Sequence, residues 1–219
     1  VNSRSTILLI NAEGERARTA AAYLRLAGCD VQTATSALHA LTQLERLLPD
    51  AIVCDAQLED MSGMELLEIV RSEAQYADVV FLLVGAPEDD RFGLRDLALP
   101  ERTDGPGILN ELRLVLDLDG ASDVNASGPV EPLGIDTVLS ALAQGRRSGR
   151  LRLSLISSDV DLWLSAGQVV HARFGLELGE RALHAIVTGA RTVLNADYDF
   201  QSGDVSDVPR TIASGAVRL

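Results

Sequence analysis

Asp55 ends the apolar run Ala51-Ile52-Val53-Cys54, where a carboxylate can ligate a cation or accept a transferred group. Ligands of open α/β sheets bind just beyond the carboxyl ends of the strands, so this is the first place to look for chemistry. The matching exit of the run Thr6-Ile7-Leu8-Leu9-Ile10 reads Asn11-Ala12-Glu13. That supplies one carboxylate where a tight hard-cation site would use two, so Glu13 and Asp55 are expected to hold a hydrated divalent cation only weakly. The chain contains no lysine, so no ammonium group can pair with Asp55.

Other reactive patterns are missing or poorly spaced. His171 and His184 lack the cysteine or acid spacing of a zinc site, and His39 falls inside a helical pattern. Ser157 and Ser165 lie in turns without a Gly-x-Ser-x-Gly elbow. No glycine-rich loop carries a lysine, which removes a P-loop. Cys29 and Cys54 are too few for a disulfide framework and read as two buried thiols. No catalytic residue is expected, and no cofactor beyond a weakly held Mg2+.

The elements that position Asp55 alternate between strand and helix through residue 116. Thr6–Ile10 precedes a helix over 14–27, with Ala17, Ala20, Leu24 and Ala27 on one face and Gly28 as its stop. Asp30–Thr33 is a half-polar strand suited to an edge. A helix capped by Thr35 or Ser36 repeats Ala37, Leu41, Leu44 and Leu48 until Pro49. Asp50–Asp55 is the central strand, Met64–Arg71 a third helix and Val79–Val84 a strand covered on both faces, as in parallel sheets. The pattern then thins, because Glu88–Leu94 contains Asp89, Asp90 and Gly93 and allows at most a short turn. Leu97–Pro100 is the last strand candidate, and a closing helix runs from Gly107 to about Leu116, with Ile108, Leu112 and Val115 toward the sheet.

This arrangement resembles the receiver domain of bacterial response regulators, over residues 5–117. The resemblance rests on Ile7-Leu8-Leu9-Ile10 with Asn11-Ala12-Glu13, on the loop Asp55-Ala56-Gln57-Leu58-Glu59-Asp60-Met61-Ser62-Gly63, and on Gly85-Ala86 and Leu99-Pro100. It implies a flavodoxin-like (CheY-like), doubly wound parallel sheet of five strands with a shortened fourth-helix region. It also implies Asp55 as phosphoacceptor. Asn11, Ala12, Glu13, Gly85 and Leu99 then fall where the family carries acidic residues, a switch hydroxyl and a lysine, so the pocket is degenerate. Arg16, Arg91 and Arg102 are the cations near enough in sequence pattern to substitute for that lysine.

Residues 118–132 are rich in Asp, Gly, Ala, Ser and Pro and read as a linker between a domain at 1–117 and another at 133–219. The second begins with an amphipathic helix over 134–143. A three-stranded antiparallel meander follows over 149–156, 160–165 and 168–174, then a helix over 179–188, a strand over 192–200 and an irregular tail. This smaller α+β part resembles the PatA-family N-terminal type (PATAN, or DUF4388) domain. The residues that carry the likeness are Gly149-Arg150-Leu151-Arg152-Leu153, Ser165-Ala166-Gly167-Gln168-Val169-Val170-His171-Ala172, Gly179–Leu183 and Tyr198-Asp199-Phe200. The resemblance implies partner binding. Trp163, Arg150 and Arg152 are the candidate contacts, although core packing is the preferred reading of Trp163.

Charge narrows the function. The net charge is -13, and residues 1–129 hold 22 Asp plus Glu against 10 Arg. That field is opposite to the basic stripe of a nucleic-acid binder, and Arg146, Arg147, Arg150 and Arg152 form too small a cluster to reverse it. No apolar run is long enough to cross a bilayer, and no signal peptide opens the sequence, so a cytoplasmic location is expected. The expectation is a non-enzymatic two-component-type signalling or adaptor protein that binds protein partners. A homodimer would have to avoid the thinned segment after Val84. The alternative is a response regulator phosphorylated on Asp55 by a histidine kinase in a Mg2+-dependent reaction.

Overall fold

A computed structural model describes residues 5–12, 14–87, 91–116, 118, 125–131, 133–155, 159–188 and 196–213. The chain divides into two compact units, the first built mainly from 29–118 with the preceding strand and helix, the second mainly from 119–219.

The first unit alternates β1 (Thr6–Ile10), α1 (Gly14–Leu26), β2 (Asp30–Ala34), α2 (Ala37–Leu44), β3 (Ala51–Asp55), α3 (Gly63–Ser72), β4 (Val80–Val84), β5 (Asp96–Leu99) and α4 (Gly105–Val115). The strands form one parallel sheet in the order β2-β1-β3-β4-β5, with half-polar β2 at an edge, as its composition predicts. Both sheet faces are buried. Leu8, Ile10, Ile52, Cys54, Phe81 and Leu83 pack with Ala37, Ala40 and Leu44 of α2 and Leu66, Leu67 and Val70 of α3. The alternate residues Ile7, Leu9, Val53, Leu82 and Val84 face the other side and are equally buried. Each such side chain stabilises the fold by about 1.5–3 kcal/mol relative to exposure.

Local chemistry sets the helix ends. Gly28, at φ +108, terminates α1 while its N–H and that of Cys29 return to the carbonyls of Arg25 and Leu24. Ser36 caps α2 by accepting from the His39 N–H at 3.2 Å, and Ser62 with Glu65 forms a capping box on α3. Asp104, accepting from the Gly107 N–H, caps α4 two residues earlier than the sequence pattern predicts, with Pro106 in the first turn. α2 ends at Leu44 rather than near Pro49. One further turn of hydrogen bonds, Glu45 to Leu41 and Leu47 to Gln43, leaves Leu48 exposed instead of on the core face.

Among the described residues between β4 and β5 there is no helix. A polar clamp holds this short connection instead. Arg71 Nε donates to Asp96 Oδ1 at 3.0 Å, while its Nη1 and Nη2 each donate at 2.7 Å, to the carbonyls of Tyr76 and Val79. The second Asp96 oxygen accepts from the Gly93 N–H at 2.7 Å, and the Asp96 side chain is 1% exposed. Phe92 folds back onto the core, and Arg91 pairs with Glu68.

The second unit contains β6 (Ala126–Pro129), α5 (Ile135–Gln144), β7 (Gly149–Ser154), β8 (Asp159–Ser165), β9 (Gln168–Phe174), β10 (Glu177–Leu178), α6 (Glu180–Thr188) and β11 (Asp197–Ser202). Its antiparallel sheet runs β10-β9-β8-β7-β11-β6. The meander β7-β8-β9 is therefore the centre of a six-stranded sheet. Residues 126–129, part of the composition-based linker, instead form β6 against β11, a pairing that small polar residues signal poorly. One face carries Leu151, Leu153, Val160, Leu162, Leu164, Ala172, Tyr198 and Phe200, all buried, as are Val138, Leu139 and Leu142 of α5 and Ala182, Leu183 and Ile186 of α6. Residues 203–213 have no regular structure. Even so, Val205 and Ile212 are buried, the N–H groups of Thr211 and Ile212 both reach the Val170 carbonyl, and Thr211 Oγ1 shares a 2.6 Å hydrogen bond with His171 Nδ1.

Removing one side of the Arg71–Asp96 clamp strands a buried charge. Asp96→Ala is expected to lower unfolding free energy by about 3 kcal/mol in urea titration, and Arg71→Ala by a similar amount. A loss below about 1 kcal/mol in both would mean that the connection does not depend on the clamp.

Candidate functional site

In-register pairing sets the strand exits side by side: Ile10 beside Cys54, Asp55 beside Val84 and Val84 beside Leu99. Backbone bonds extend this alignment past the strands, with Ala56 N–H donating to the Val84 carbonyl at 2.7 Å and Gly85 N–H to the Leu99 carbonyl at 2.8 Å. The half-buried Asp55 thus opens at the carboxyl edge of the sheet.

The loop after Asp55 is tightly packed. A Cβ on Gly63 would lie 2.4 Å from the Asp55 carbonyl oxygen and 2.6 Å from Leu83, so only glycine fits where α3 starts. Met61 packs against the core, and Asp60 accepts from the Ala37 and Leu38 N–H groups at 3.1 and 2.9 Å, joining this loop to the start of α2. Its bond from Leu38, ahead of those from Ala37 and Ser36, holds the Asp60 carboxyl below the ordinary value. Burial, reinforced by the charges of Asp55 and Asp60, pushes the Cys54 thiol far up, so it is an inert thiol.

Asp55 borders two cavities. The larger, about 580 Å³, is also lined by Asn11, Glu15, Arg16, Thr19, Glu101, Arg102 and Thr103. The smaller, about 260 Å³, takes in Ala12, Gln57 and Gly85. Arg16, Asp55, Val84 and Glu101 border both, and Arg16 Nη2 donates to the Glu101 carbonyl at 2.8 Å. Of the three arginines named from sequence, Arg16 and Arg102 therefore line the space at Asp55, whereas Arg91 pairs with Glu68. The role of Glu101 was not legible, because its main-chain oxygen, not its side chain, receives Arg16.

The remaining expected residues separate. Asn11 and Ala12 line the cavities, and the Asn11 N–H donates to Ala34 at 3.1 Å. Gly85 has φ +85 and no hydroxyl, with Glu101 atoms 3.4–3.6 Å from where its Cβ would be. Leu99 is buried beside Val84 and lines neither cavity. Glu13 lies outside the described residues. A magnesium ion keeps several water ligands and is held through one or two carboxylates. Among the described residues no three His, Cys, Asp or Glu side chains cluster as a metal site.

On the polar face of the second sheet, Trp163 lies between Arg150, whose guanidinium carbon is 5.4 Å from its ring centroid, and His171, at 5.1 Å between rings. Trp163 is half-buried on the face opposite Leu162 and Leu164, not in the apolar core. Arg150 and Arg152 converge on Asp161, with Arg150 Nη2 at 2.7 Å and Arg152 Nε at 3.1 Å, and Arg173 joins them from β9. Asp161 is fully buried. Burial works to raise its carboxyl, but hydrogen bonds from Arg173, Arg152 and Arg150 outweigh it and leave the group below its ordinary value. Burial first, then the Arg173 charge, lowers His171.

Residues 7–93 match the response regulator receiver domain family, and the first unit is a receiver domain of that kind. Over 86 residues the chain is 33% identical to the Mycobacterium tuberculosis protein named "Probable transcriptional regulatory protein TcrX", covering 39% of this chain and 37% of that protein. Over 76 residues it is 30% identical to the transcriptional regulatory protein TrcR of the same organism, covering 35% and 30%. The matched region is thus about a third of these relatives' length. Among solved structures, the chemotaxis response regulator CheY4 of Vibrio cholerae is 21% identical, with TM-score 0.47, over 52% of this chain and 100% of that one. A receiver domain from Methylobacillus flagellatus is 22% identical, with TM-score 0.45 and the same coverage. Among the described residues no helix is long and apolar enough to cross a membrane.

Two outcomes follow from this geometry. Gly85→Thr, which adds back a hydroxyl, forces a β-branched residue into the left-handed region and is expected to cost about 1–2 kcal/mol in urea titration. An unchanged midpoint would show that this backbone relaxes freely. Asp161 has a folded pKa below its unfolded value of about 3.9, so its contribution is full above about pH 4 and disappears as pH falls through the folded value. Asp161→Asn is expected to lose about 3 kcal/mol or more near neutrality and to flatten the acid limb of the stability–pH curve. An acid limb as steep as in wild type would exclude Asp161 as its source.

Proposed function

We propose that this chain is a two-component-type signalling or adaptor protein that works through protein–protein contact, with a degenerate receiver as one module. The carrying observation is that the exits beside Asp55 present Gly85 and Leu99, one without a hydroxyl and in a left-handed backbone, the other buried and uncharged. The usual readout of a phosphorylated carboxylate needs groups that move toward the new charge, and neither position has one. We read the second unit as a PATAN-type partner-binding domain. The Trp163 face, backed by the arginines on Asp161, is its candidate contact surface. A histidine kinase or another signalling protein is the class of partner.

A second reading is favoured by one observation. Asp55 is intact, half-buried and open to a cavity that Arg16 also lines, so it retains an acceptor oxygen in a cavity that also carries a positive charge. In that reading Asp55 takes a phosphoryl group. Incubation of wild type and Asp55→Asn with acetyl phosphate and Mg2+, followed by intact-mass measurement, separates the two. The adaptor reading expects no stable phosphate adduct on either protein, and an adduct confined to wild type would establish the second reading in its place.

A further inference from the structure

Arg16 projects from the first turn of α1, and its guanidinium crosses to the turn that follows β5. That corner is closed on itself: the Thr103 N–H and Oγ1 both donate to the Pro100 carbonyl, at 3.0 and 2.7 Å, and Asp104 then caps α4. The Arg16–Glu101 bridge stands at the common boundary of the two cavities onto which Asp55 opens. Asp55 therefore shares its surroundings with a cation that also engages a main-chain carbonyl on a different element.

We infer that Arg16 is the coupling residue of this site, a guanidinium that responds to charge on Asp55 and transmits it, through the Glu101 carbonyl, to the corner entering α4. The inference rests on the second reading above, with Asp55 as phosphoacceptor. In the transfer an Asp55 carboxylate oxygen bonds to phosphorus while the bridging P–O bond of an acyl phosphate breaks, and the electron pair leaves with the donor's carboxylate. A singly charged carboxylate becomes an acyl phosphate with three further acceptor oxygens. A guanidinium offers five N–H donors in a planar fork and bonds anionic oxygens more strongly than a neutral carbonyl. Arg16 accordingly turns from Glu101 toward the phosphoryl oxygens, and the Pro100–Asp104 corner loses this hydrogen bond to α1 while Gly105 stays packed on Tyr23. The readout thus originates on α1, with no participation from Gly85 or Leu99.

The test uses the full chain with acetyl phosphate and Mg2+, with intact mass giving occupancy and hydrogen exchange following a peptide over residues 100–105. In wild type, adduct formation is expected to speed exchange at this corner on the order of tenfold, the scale of one lost charge-assisted hydrogen bond. Asp55→Asn should show no response. In Arg16→Ala the corner should exchange fast with or without the adduct, and Arg16→Lys should restore part of the response. Glu101→Gln, which keeps the main-chain acceptor, should respond as wild type does. Thermal melts of each variant separate this from general unfolding. A wild-type adduct with an unchanged corner, or an equal response in Arg16→Ala, overturns the inference and leaves the phosphoacceptor reading standing. Absence of any adduct on wild type removes both.

Discussion

Parallel, in-register pairing of β1, β3, β4 and β5, with both faces buried, is the constraint on which the rest of the first unit depends. A one-residue slip in any of these strands would turn its buried side chains to the opposite face, so the register is held by the whole core. Because the register is fixed, the exits at Asp55, Val84 and Leu99 come level with one another, and Ile10 ends beside Cys54. The site is what the loops beyond those exits and the first turn of α1 place there. Its geometry is inherited from the sheet, while its chemistry is free to vary residue by residue.

The connection between β4 and β5 shows the same separation between scaffold and decoration. A helix covering that stretch would satisfy its own backbone and add apolar contact. Here Asp96 accepts from a guanidinium and a main-chain N–H, and the same guanidinium is anchored on two carbonyls just before β4. Directional polar bonds hold in place a segment that has little apolar surface of its own. The second unit uses a comparable device at Asp161, where three guanidiniums from neighbouring strands converge on one buried carboxylate.

Much of this architecture is legible from the sequence because periodicity is a strong signal for long buried elements. The runs Thr6–Ile10 and Val79–Val84, the glycine after α1 and the serine before α2 each act locally. The misses have long-range causes. Leu48 fits the helical repeat yet lies outside α2, since one more turn of hydrogen bonds carries it past the sheet. Strand β6 is made of Ala, Ser, Gly and Pro and exists because β11 offers it a partner. At the site, Asp55, Asn11, Ala12 and Gly85 were legible as a group, whereas Leu99 packs away from the cavities. The Arg16–Glu101 bridge joins residues 85 positions apart through a main-chain oxygen, for which sequence carries no marker.

Val170 lies where the pairing of β8 and β9 shifts register, and its carbonyl is taken by two N–H groups of a segment with no secondary structure of its own. That segment therefore does the work of a seventh strand without being one: it closes a margin of β9 that the two-residue β10 leaves largely open. An unprotected strand margin is a template for pairing between molecules. Among the described residues the packing of this unit accordingly extends to Ile212, beyond the last strand at Ser202. A shorter version would trade a self-contained sheet for one that recruits its neighbours.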